Sequence, residues 1–226
     1  MLELKNIYHA HEFKYTDFLN SCREGLIKDF LENNPDYLKD YSEINYEYTK
    51  HLEQRNAYNA NMITSPTGWN ALGFKSMETQ HVDETLRDRY PTAFKILDYF
   101  GDDIKSASYS SMEPQMILRR HTGHENKEAL RIRVHIPLII PAGDLGFECH
   151  GEAVHWEDVF AFNNQKAHSA WNFTDERRLV FIIDLLRANC DMPPAPAWFP
   201  GCNDDAPRFE KTERESDEWK KRYKGN

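Results

Sequence analysis

The chain has 226 residues and a net charge of −9 at pH 7, and 40% of its residues are hydrophobic. This length suits one domain of above-average size with a buried core. The acidic balance argues against a nucleic acid polymer as the main partner, because gripping one requires a surplus of lysine and arginine. No apolar stretch approaches the length of a membrane span, so we expect no membrane partner either.

The cysteines and the N-terminus indicate the compartment. Four cysteines are widely spaced, with no CxxC pair and no density typical of a disulfide scaffold. A secretory signal has a basic stretch followed by an apolar run, and the N-terminus has neither. We therefore expect a protein of a reducing compartment, the cytoplasm. The cysteines are Cys22, Cys149, Cys190 and Cys202.

The first hundred residues read as mainly helical. Apolar residues recur at intervals of three and four over residues 16–31, which predicts an amphipathic helix that Asn33-Asn34-Pro35 ends. Residues 36–62 are polar and rich in tyrosine, without a strong apolar stripe. Residues 69–74 are a candidate strand, and residues 79–99 read as a second helical region interrupted at Tyr90-Pro91.

After Gly101 the chain changes to short segments separated by Gly, Pro, Asp and Asn turns. This cadence predicts an antiparallel sandwich or barrel rather than alternating βαβ units. We expect three regions: an N-terminal helical region packing on the core (1–68), a β core (69–187), and a proline-rich wrap with a charged tail (188–226). The candidate strands are residues 104–111, 115–120, 130–140, 146–150, 159–163 and 179–186.

One candidate strand has a basic face and an apolar face. Strand alternation places Arg131, Arg133 and His135 on one side and the intervening apolar residues on the other. The apolar face can pack against helices while the basic face lines a cavity. An ordinary half-exposed strand is the alternative, because antiparallel sheets commonly have one wet face.

Two histidines are candidate metal ligands. His121 and His168 could meet across a folded sheet, and neutral imidazole is a common ligand for iron, zinc and copper. A mononuclear iron oxygenase usually adds a carboxylate, but the residue two positions after His121 is Gly123. Spacing alone leaves three alternative ligands open: His124, His150 and His155.

Arg178 is a candidate carboxylate-binding residue. It lies ten residues after His168 and begins a strongly apolar segment. Its guanidinium could bind a carboxylate through two parallel hydrogen bonds, which lysine cannot do. The alternative is a surface ion pair of Arg177 or Arg178 with Asp175 or Glu176, which would contribute little.

In this order and spacing, these residues resemble the aspartyl/asparaginyl β-hydroxylase family of iron(II)- and 2-oxoglutarate-dependent oxygenases. The resemblance runs from about residue 69 to residue 187. It rests on Ile104-Lys105-Ser106-Ala107-Ser108-Tyr109-Ser110-Ser111-Met112-Glu113-Pro114, on His121-Thr122-Gly123 with Asn126, on Leu130-Arg131-Ile132-Arg133-Val134-His135, on His168 with Trp171, and on Arg178-Leu179-Val180-Phe181-Ile182-Ile183-Asp184.

The resemblance implies a double-stranded β-helix, which is a jelly-roll-like barrel with helices packed on one sheet. It implies His121 and His168 as the iron(II) ligands and catalytic centre. It also implies 2-oxoglutarate and O2 as cosubstrates. Five residues would hold the 2-oxoglutarate: Ser110, Arg133, His135 and the nearby Met112, with Arg178 on the distal carboxylate.

The implied reaction is hydroxylation of an unactivated C–H bond, with release of succinate and CO2. We expect an amino acid, a peptide or another small metabolite as substrate. Gly123 leaves two alternatives open: a radical halogenase that binds chloride in the position without a carboxylate, and a catalytically inactive binding module of the same fold.

Overall fold

The computed structural model describes residues 5–33, 39–40, 69–77, 79–121 and 131–192. Within these ranges the chain forms two antiparallel β-sheets and two α-helices. No helix in the described ranges is both long and apolar enough to cross a membrane.

The strands divide between a large and a small sheet. The large sheet has the order β1 (Ile7–Tyr8), β9 (Phe160–Phe162), β6 (Arg131–Ile139), β11 (Arg178–Leu186), β4 (Ile104–Met112), β3 (Trp69–Lys75) and β2 (Lys39–Asp40). The small sheet has the order β5 (Met116–His121), β10 (His168–Asn172), β7 (Leu145–Cys149) and β8 (Glu152–Val154).

The connections between the sheets define the fold. From β4 to β7, successive strands alternate between the large and the small sheet, and they alternate again from β8 to β11. Every pairing is antiparallel. Two four-stranded arrays built in this way form a double-stranded β-helix. The predicted fold class is confirmed.

Two apolar clusters lie on opposite faces of the large sheet. On the outer face, α1 (Thr16–Glu32) lies against β6 and α2 (Pro91–Phe100) lies against β4 and α1. Leu26 of α1, Phe94 of α2, and Val134 and Ile136 of β6 belong to this outer cluster. The inner face meets the small sheet through residues such as Phe147 and Val180. The predicted alternation along β6 is therefore confirmed, since its apolar residues face the helices.

Pro137 lies inside β6, beyond the residues 133–135 that pair with β9, and only β11 pairs at its position. The pairing with β11 shifts register beside it, between Leu179 and Val180. Such an irregularity is where a sheet can accept a residue without an N–H group.

The second helical region is shorter than predicted. Only Pro91–Phe100 is α-helical, while Glu84–Leu86 is a 3-10 turn and Val82 pairs with Lys75 in an isolated bridge. Pro91 begins the helix instead of interrupting it, because the first turn of a helix needs no N–H donor there. The prediction of helix over residues 79–90 was wrong.

Several predictions fall on residues that the structure does not describe. Most of the polar segment 36–62, the tail after residue 192 and Cys202 lie outside the described ranges. The three-region division stays a prediction. Within the first region, α1 packs on the large sheet and β1 extends that sheet beside β9.

Candidate active site

The two predicted metal ligands lie side by side. His121 is the last residue of β5, His168 is the first residue of β10, and the two are directly opposite in the antiparallel pairing. Their ring centroids are 4.2 Å apart at an interplanar angle of 55°. His168 is buried and His121 is half-buried. The sheet thus brings two imidazoles to one point at the rim of the small sheet.

The orientation of His168 suits metal binding. Its Nδ1 lies 2.7 Å from the backbone carbonyl oxygen of Lys166, so Nδ1–H donates and Nε2 keeps its lone pair. Burial, and then the neighbouring His121, lower the pKa of His168 well below its usual value. The imidazole is therefore neutral at pH 7, which is the form that ligates metals.

The other candidate ligands are placed differently. His150 and His155 are exposed, and His150 occupies the turn after β7 with φ +52°. His124 and Gly123 lie outside the described residues. In the described ranges, no group of three or more His, Cys, Asp or Glu side chains is arranged to bind a metal.

Arg178 is buried without an acidic partner among the described residues. Its Nη1 donates to the backbone oxygen of Ser110 at 3.3 Å, and its Nε is buried without a hydrogen-bond partner. Burial lowers the pKa of Arg178 to about 9, so the guanidinium stays charged at neutral pH. A buried cation of this kind needs an anion to offset its lost hydration.

The alternative of a surface ion pair does not hold for Arg178. The neighbouring Arg177 makes such a pair, with its Nε 2.7 Å from Oε1 of Glu113. Alternation along β11 places Arg178 on the same face as Val180, which belongs to the inner cluster. Arg178 therefore faces the interior of the barrel.

His135 and Arg178 share a neighbour that the sequence did not single out. The ring centre of Trp156 lies 4.7 Å from the guanidinium carbon of Arg178, and its Nε1 lies 3.1 Å from Nδ1 of His135. Burial, and then Arg178, lower the pKa of His135 well below its usual value. Trp156 could have been singled out from the sequence, because it is a large aromatic residue within the polar stretch His155-Trp156-Glu157-Asp158.

Ser110 and Met112 lie on β4 beside Arg178. Met112 is fully buried and is the register partner of Arg178. The hydroxyl of Ser110 accepts a hydrogen bond from Nε1 of Trp69 at 2.9 Å. Both predicted cosubstrate residues are therefore next to the buried guanidinium.

Arg133 faces the same interior but is engaged with an acid. Its Nε and Nη2 each lie 2.9 Å from a carboxylate oxygen of Asp184, which is buried and also accepts from the hydroxyl of Ser106. The role of Arg133 toward 2-oxoglutarate stays a prediction. Asp184 is a residue that sequence reasoning missed, although a lone acid in the apolar segment Val180-Phe181-Ile182-Ile183-Asp184-Leu185 was a usable signal.

Burial along the strands shows which end of the interior is open. On the inner face of β4, Ser106 and Ser108 are half-buried while Ser110 and Met112 are buried. On β11, Ile182 is half-buried while Val180 and Arg178 are buried. The interior is thus closed around Arg178 and open toward Ser106 and Ser108.

Comparison with known families identifies one that covers most of the chain. The family model described as Aspartyl/Asparaginyl beta-hydroxylase matches residues 35–188. This span covers both histidines and Arg178. The chain belongs to the aspartyl/asparaginyl β-hydroxylase family.

Two curated relatives have named activities. The chain is 26% identical over 164 residues to the ornithine lipid ester-linked acyl 2-hydroxylase of Rhizobium tropici, a match that covers 66% of this chain and 55% of the relative. It is 34% identical over 79 residues to the aspartyl/asparaginyl beta-hydroxylase of Homo sapiens, which covers 34% of this chain and 10% of the relative. The chain thus spans about half of the bacterial relative and a tenth of the human one.

Solved structures with similar folds are more distant. A prolyl hydroxylase of Trichoplax adhaerens, solved in complex with a hypoxia inducible factor peptide fragment, matches with a TM-score of 0.47 and 12% identity over 75% of this chain and 80% of that one. A 2OG-Fe(II) oxygenase family protein of Burkholderia pseudomallei matches with a TM-score of 0.37 and 13% identity over 61% and 78% of the two chains.

Proposed function

We propose that the protein is an iron(II)- and 2-oxoglutarate-dependent hydroxylase of an amino acid, a peptide or another small metabolite. The observation that carries the proposal is the pair of opposed imidazoles, 4.2 Å apart between ring centroids, in the same barrel as a buried arginine with no acidic partner in the described ranges. Family membership supports it.

His121 and His168 would hold the iron. Two imidazoles suit a borderline divalent metal, and the hydrogen bond to the Lys166 carbonyl directs the lone pair of His168 to Nε2. Gly123 occupies the position where a mononuclear iron oxygenase usually carries a carboxylate ligand. The chloride alternative depends on that same position, and no observation in the described residues favours it.

Arg178 would bind the distal carboxylate of 2-oxoglutarate at the closed end of the barrel. Its buried Nε–H lacks a partner, so a carboxylate could accept from it and offset the buried charge. His135 and Ser110 would provide further polar contacts, and Met112 an apolar wall. Arg133 would contribute from the open side, where Asp184 holds its guanidinium.

When bound, iron and the keto acid supply oxidative decarboxylation to succinate and CO2, coupled to insertion of one oxygen atom of O2 into a C–H bond. The chain's part is to bind and orient. The apolar inner cluster, with Phe147, Phe162 and Val180, keeps water away from the buried end of the site. The substrate would enter past Ser106 and Ser108, where the interior is open.

The substrate class is drawn from the sequence and one relative. The R. tropici relative is named for hydroxylating an ester-linked acyl chain of ornithine lipid. We therefore add acylated amino acids to the expected amino acids, peptides and small metabolites. The cytoplasmic location stays a prediction, which accords with the free, buried thiols of Cys22, Cys149 and Cys190.

A succinate-production screen tests the proposal. The protein is supplied with iron(II), 2-oxoglutarate and O2, together with panels of amino acids, peptides, nucleotides and acylated amino acids. A substrate should stimulate succinate release and gain the mass of one oxygen atom, and replacing chloride by another anion should leave that product unchanged. His168→Ala should show neither effect. A wild-type protein whose succinate output never exceeds that of His168→Ala would contradict the proposal.

A further inference from the structure

Trp156 contacts two of the residues proposed to hold the keto acid. It lies in the loop between β8 and β9 and is 1% exposed. Its ring centre is 4.7 Å from the guanidinium carbon of Arg178, and its Nε1 is 3.1 Å from Nδ1 of His135. One side chain thus holds polar groups that come from two different strands, β6 and β11.

The hydrogen bond to Trp156 fixes the proton of His135. An indole N–H can only donate, so Nδ1 of His135 must accept with its lone pair. An imidazolium has no such lone pair, and a ring protonated on Nδ1 would place two donors against each other. The ring is therefore the neutral tautomer with its proton on Nε2.

The Nε2–H group of His135 is then left for a ligand. Within the described residues it has no hydrogen-bond partner. The rings packed around His135 are those of Phe147, Phe160 and Phe162, at centroid distances of 5.4, 5.1 and 5.2 Å, and they carry no conventional acceptor. The tautomer thus turns a buried histidine into a donor held beside Arg178.

The contact with Arg178 holds a cation without neutralising it. The face of an indole attracts a guanidinium but carries no net charge. A carboxylate in the place of Trp156 would form an ion pair with Arg178 and compete with an acidic ligand. With tryptophan there, the Nε–H of Arg178 keeps its capacity to donate.

We infer that Trp156 is a positioning residue for the keto acid: it holds His135 in the Nε2–H tautomer and Arg178 without a protein counter-ion, so that both present N–H groups to carboxylates. The identity of the ligand rests on the proposed function. The tautomer does not, and it can be measured on its own.

The test compares two tryptophan substitutions. Trp156→Phe keeps an aromatic ring beside Arg178 but lacks the N–H group. Trp171→Phe is the matched control, because Trp171 is similarly buried at 3% exposure and its Nε1–H donates to Asp144, at 2.8 Å, instead of to His135. Both changes remove one indole hydrogen bond from the same protein.

The first readout is long-range proton–nitrogen NMR of the histidine rings in metal-free protein, with the His135 signals assigned by their loss in His135→Gln. We expect the Nε2–H tautomer in wild type and in Trp171→Phe, and a mixture or the Nδ1–H tautomer in Trp156→Phe.

The second readout is calorimetric binding of 2-oxoglutarate to manganese(II)-loaded protein. Trp156→Phe should bind about tenfold more weakly, which is the loss expected for one hydrogen bond, while the control keeps wild-type affinity.

Two results would overturn the inference: a wild-type His135 that carries its proton on Nδ1, or a Trp156→Phe protein with unchanged tautomer and affinity. If Trp156→Phe does not fold, the wild-type tautomer alone decides. If the wild-type protein does not bind 2-oxoglutarate, the proposal that 2-oxoglutarate is the ligand is wrong. The change of tautomer in Trp156→Phe would still test whether Trp156 sets the proton position of His135.

Discussion

Arg178, the first residue of β11, and Arg177, the residue before it, have opposite environments. Arg177 makes a half-exposed ion pair with Glu113, whereas Arg178 is 2% exposed and has no acidic partner in the described ranges. Surface pairs contribute little to stability or binding, while a buried guanidinium that meets a carboxylate forms charge-assisted hydrogen bonds. The two positions therefore offer a matched comparison.

Arg178→Lys should weaken 2-oxoglutarate binding. Lysine keeps the charge but loses the planar fork of donors, so we expect the dissociation constant to rise about 10- to 100-fold, as for loss of a hydrogen bond to a charged group. Arg177→Lys should leave it within about twofold, since that pair is half-exposed. Calorimetric titration of both variants checks this. Equal effects of the two substitutions would rule out Arg178 as the carboxylate-binding residue.

At single residues, the sequence predicted which face of a strand a side chain lies on but not its long-range contacts. The period of two along β6 correctly predicted that Arg133 and His135 face inward, because a strand fixes that alternation locally. The contacts of Trp156 with His135 and of Asp184 with Arg133 join residues 21 and 51 positions apart. Such pairings depend on tertiary packing, which a single sequence does not encode in any local pattern.

At the level of elements, β10 is one of the strands that sequence patterns missed, and it carries His168. Its sequence His168-Ser169-Ala170-Trp171-Asn172 has one aromatic residue, no β-branched residue and no clear alternation, yet all five residues are buried. The strand exists because β5 and β7 pair with it on both sides. The position of His168, a proposed iron ligand, is thus set by tertiary pairing, although the family resemblance pointed to the residue itself.

The packing of β7 on β10 can be tested with glycines. Gly146 lies opposite Trp171, and a Cβ there would approach the indole ring to 2.4 Å. Gly73 also lies in a strand, but a Cβ there meets nothing within 4 Å. Gly146→Ala should lower the free energy of unfolding by about 1–3 kcal/mol through overpacking.

Gly73→Ala is the control for that change and should be neutral or slightly stabilising, by up to about 1 kcal/mol, because alanine loses less backbone entropy than glycine on folding. Urea denaturation of both variants measures the difference. If Gly146→Ala were as stable as Gly73→Ala, the close contact between β7 and the ring of Trp171 would be wrong.

For the whole molecule, the site and the fold are linked because the side chains proposed to bind iron and 2-oxoglutarate come from both sheets. His121 and His168 belong to the small sheet, while Arg178, His135 and Ser110 belong to the large one. Ligands that bridge the two sheets bind the folded state and not the unfolded chain, so they stabilise it by mass action.

Iron(II) and 2-oxoglutarate together should therefore raise the melting temperature. At concentrations of 100 times the dissociation constant, the gain of about 2.7 kcal/mol corresponds to about 5–10 °C for a domain of this size. Anaerobic thermal denaturation, with succinate replacing 2-oxoglutarate as a comparison, checks this. A melting temperature that both ligands leave unchanged would argue against a shared site.

The fold class was more predictable from the sequence than the structure of individual segments. The cadence of strands after Gly101 indicated an antiparallel sandwich or barrel, and the family resemblance implied a double-stranded β-helix. The alternation of strands between the two sheets confirms that fold. The segment 79–90, predicted to be helical, instead pairs Val82 with Lys75 at the end of β3 and forms a 3-10 turn at Glu84–Leu86. Local patterns decide a segment only where no neighbouring strand competes for its backbone.

The most direct test is an anaerobic titration of wild-type protein with iron(II) and then 2-oxoglutarate, followed by visible absorption. Two imidazoles on a single iron, with Arg178 anchoring the keto acid beside it, predict a weak charge-transfer band that saturates with 2-oxoglutarate. The band should be absent in His168→Ala and should require more 2-oxoglutarate in Arg178→Lys. A well-folded wild-type protein without the band, or a His168→Ala protein that keeps it, would contradict the proposed site.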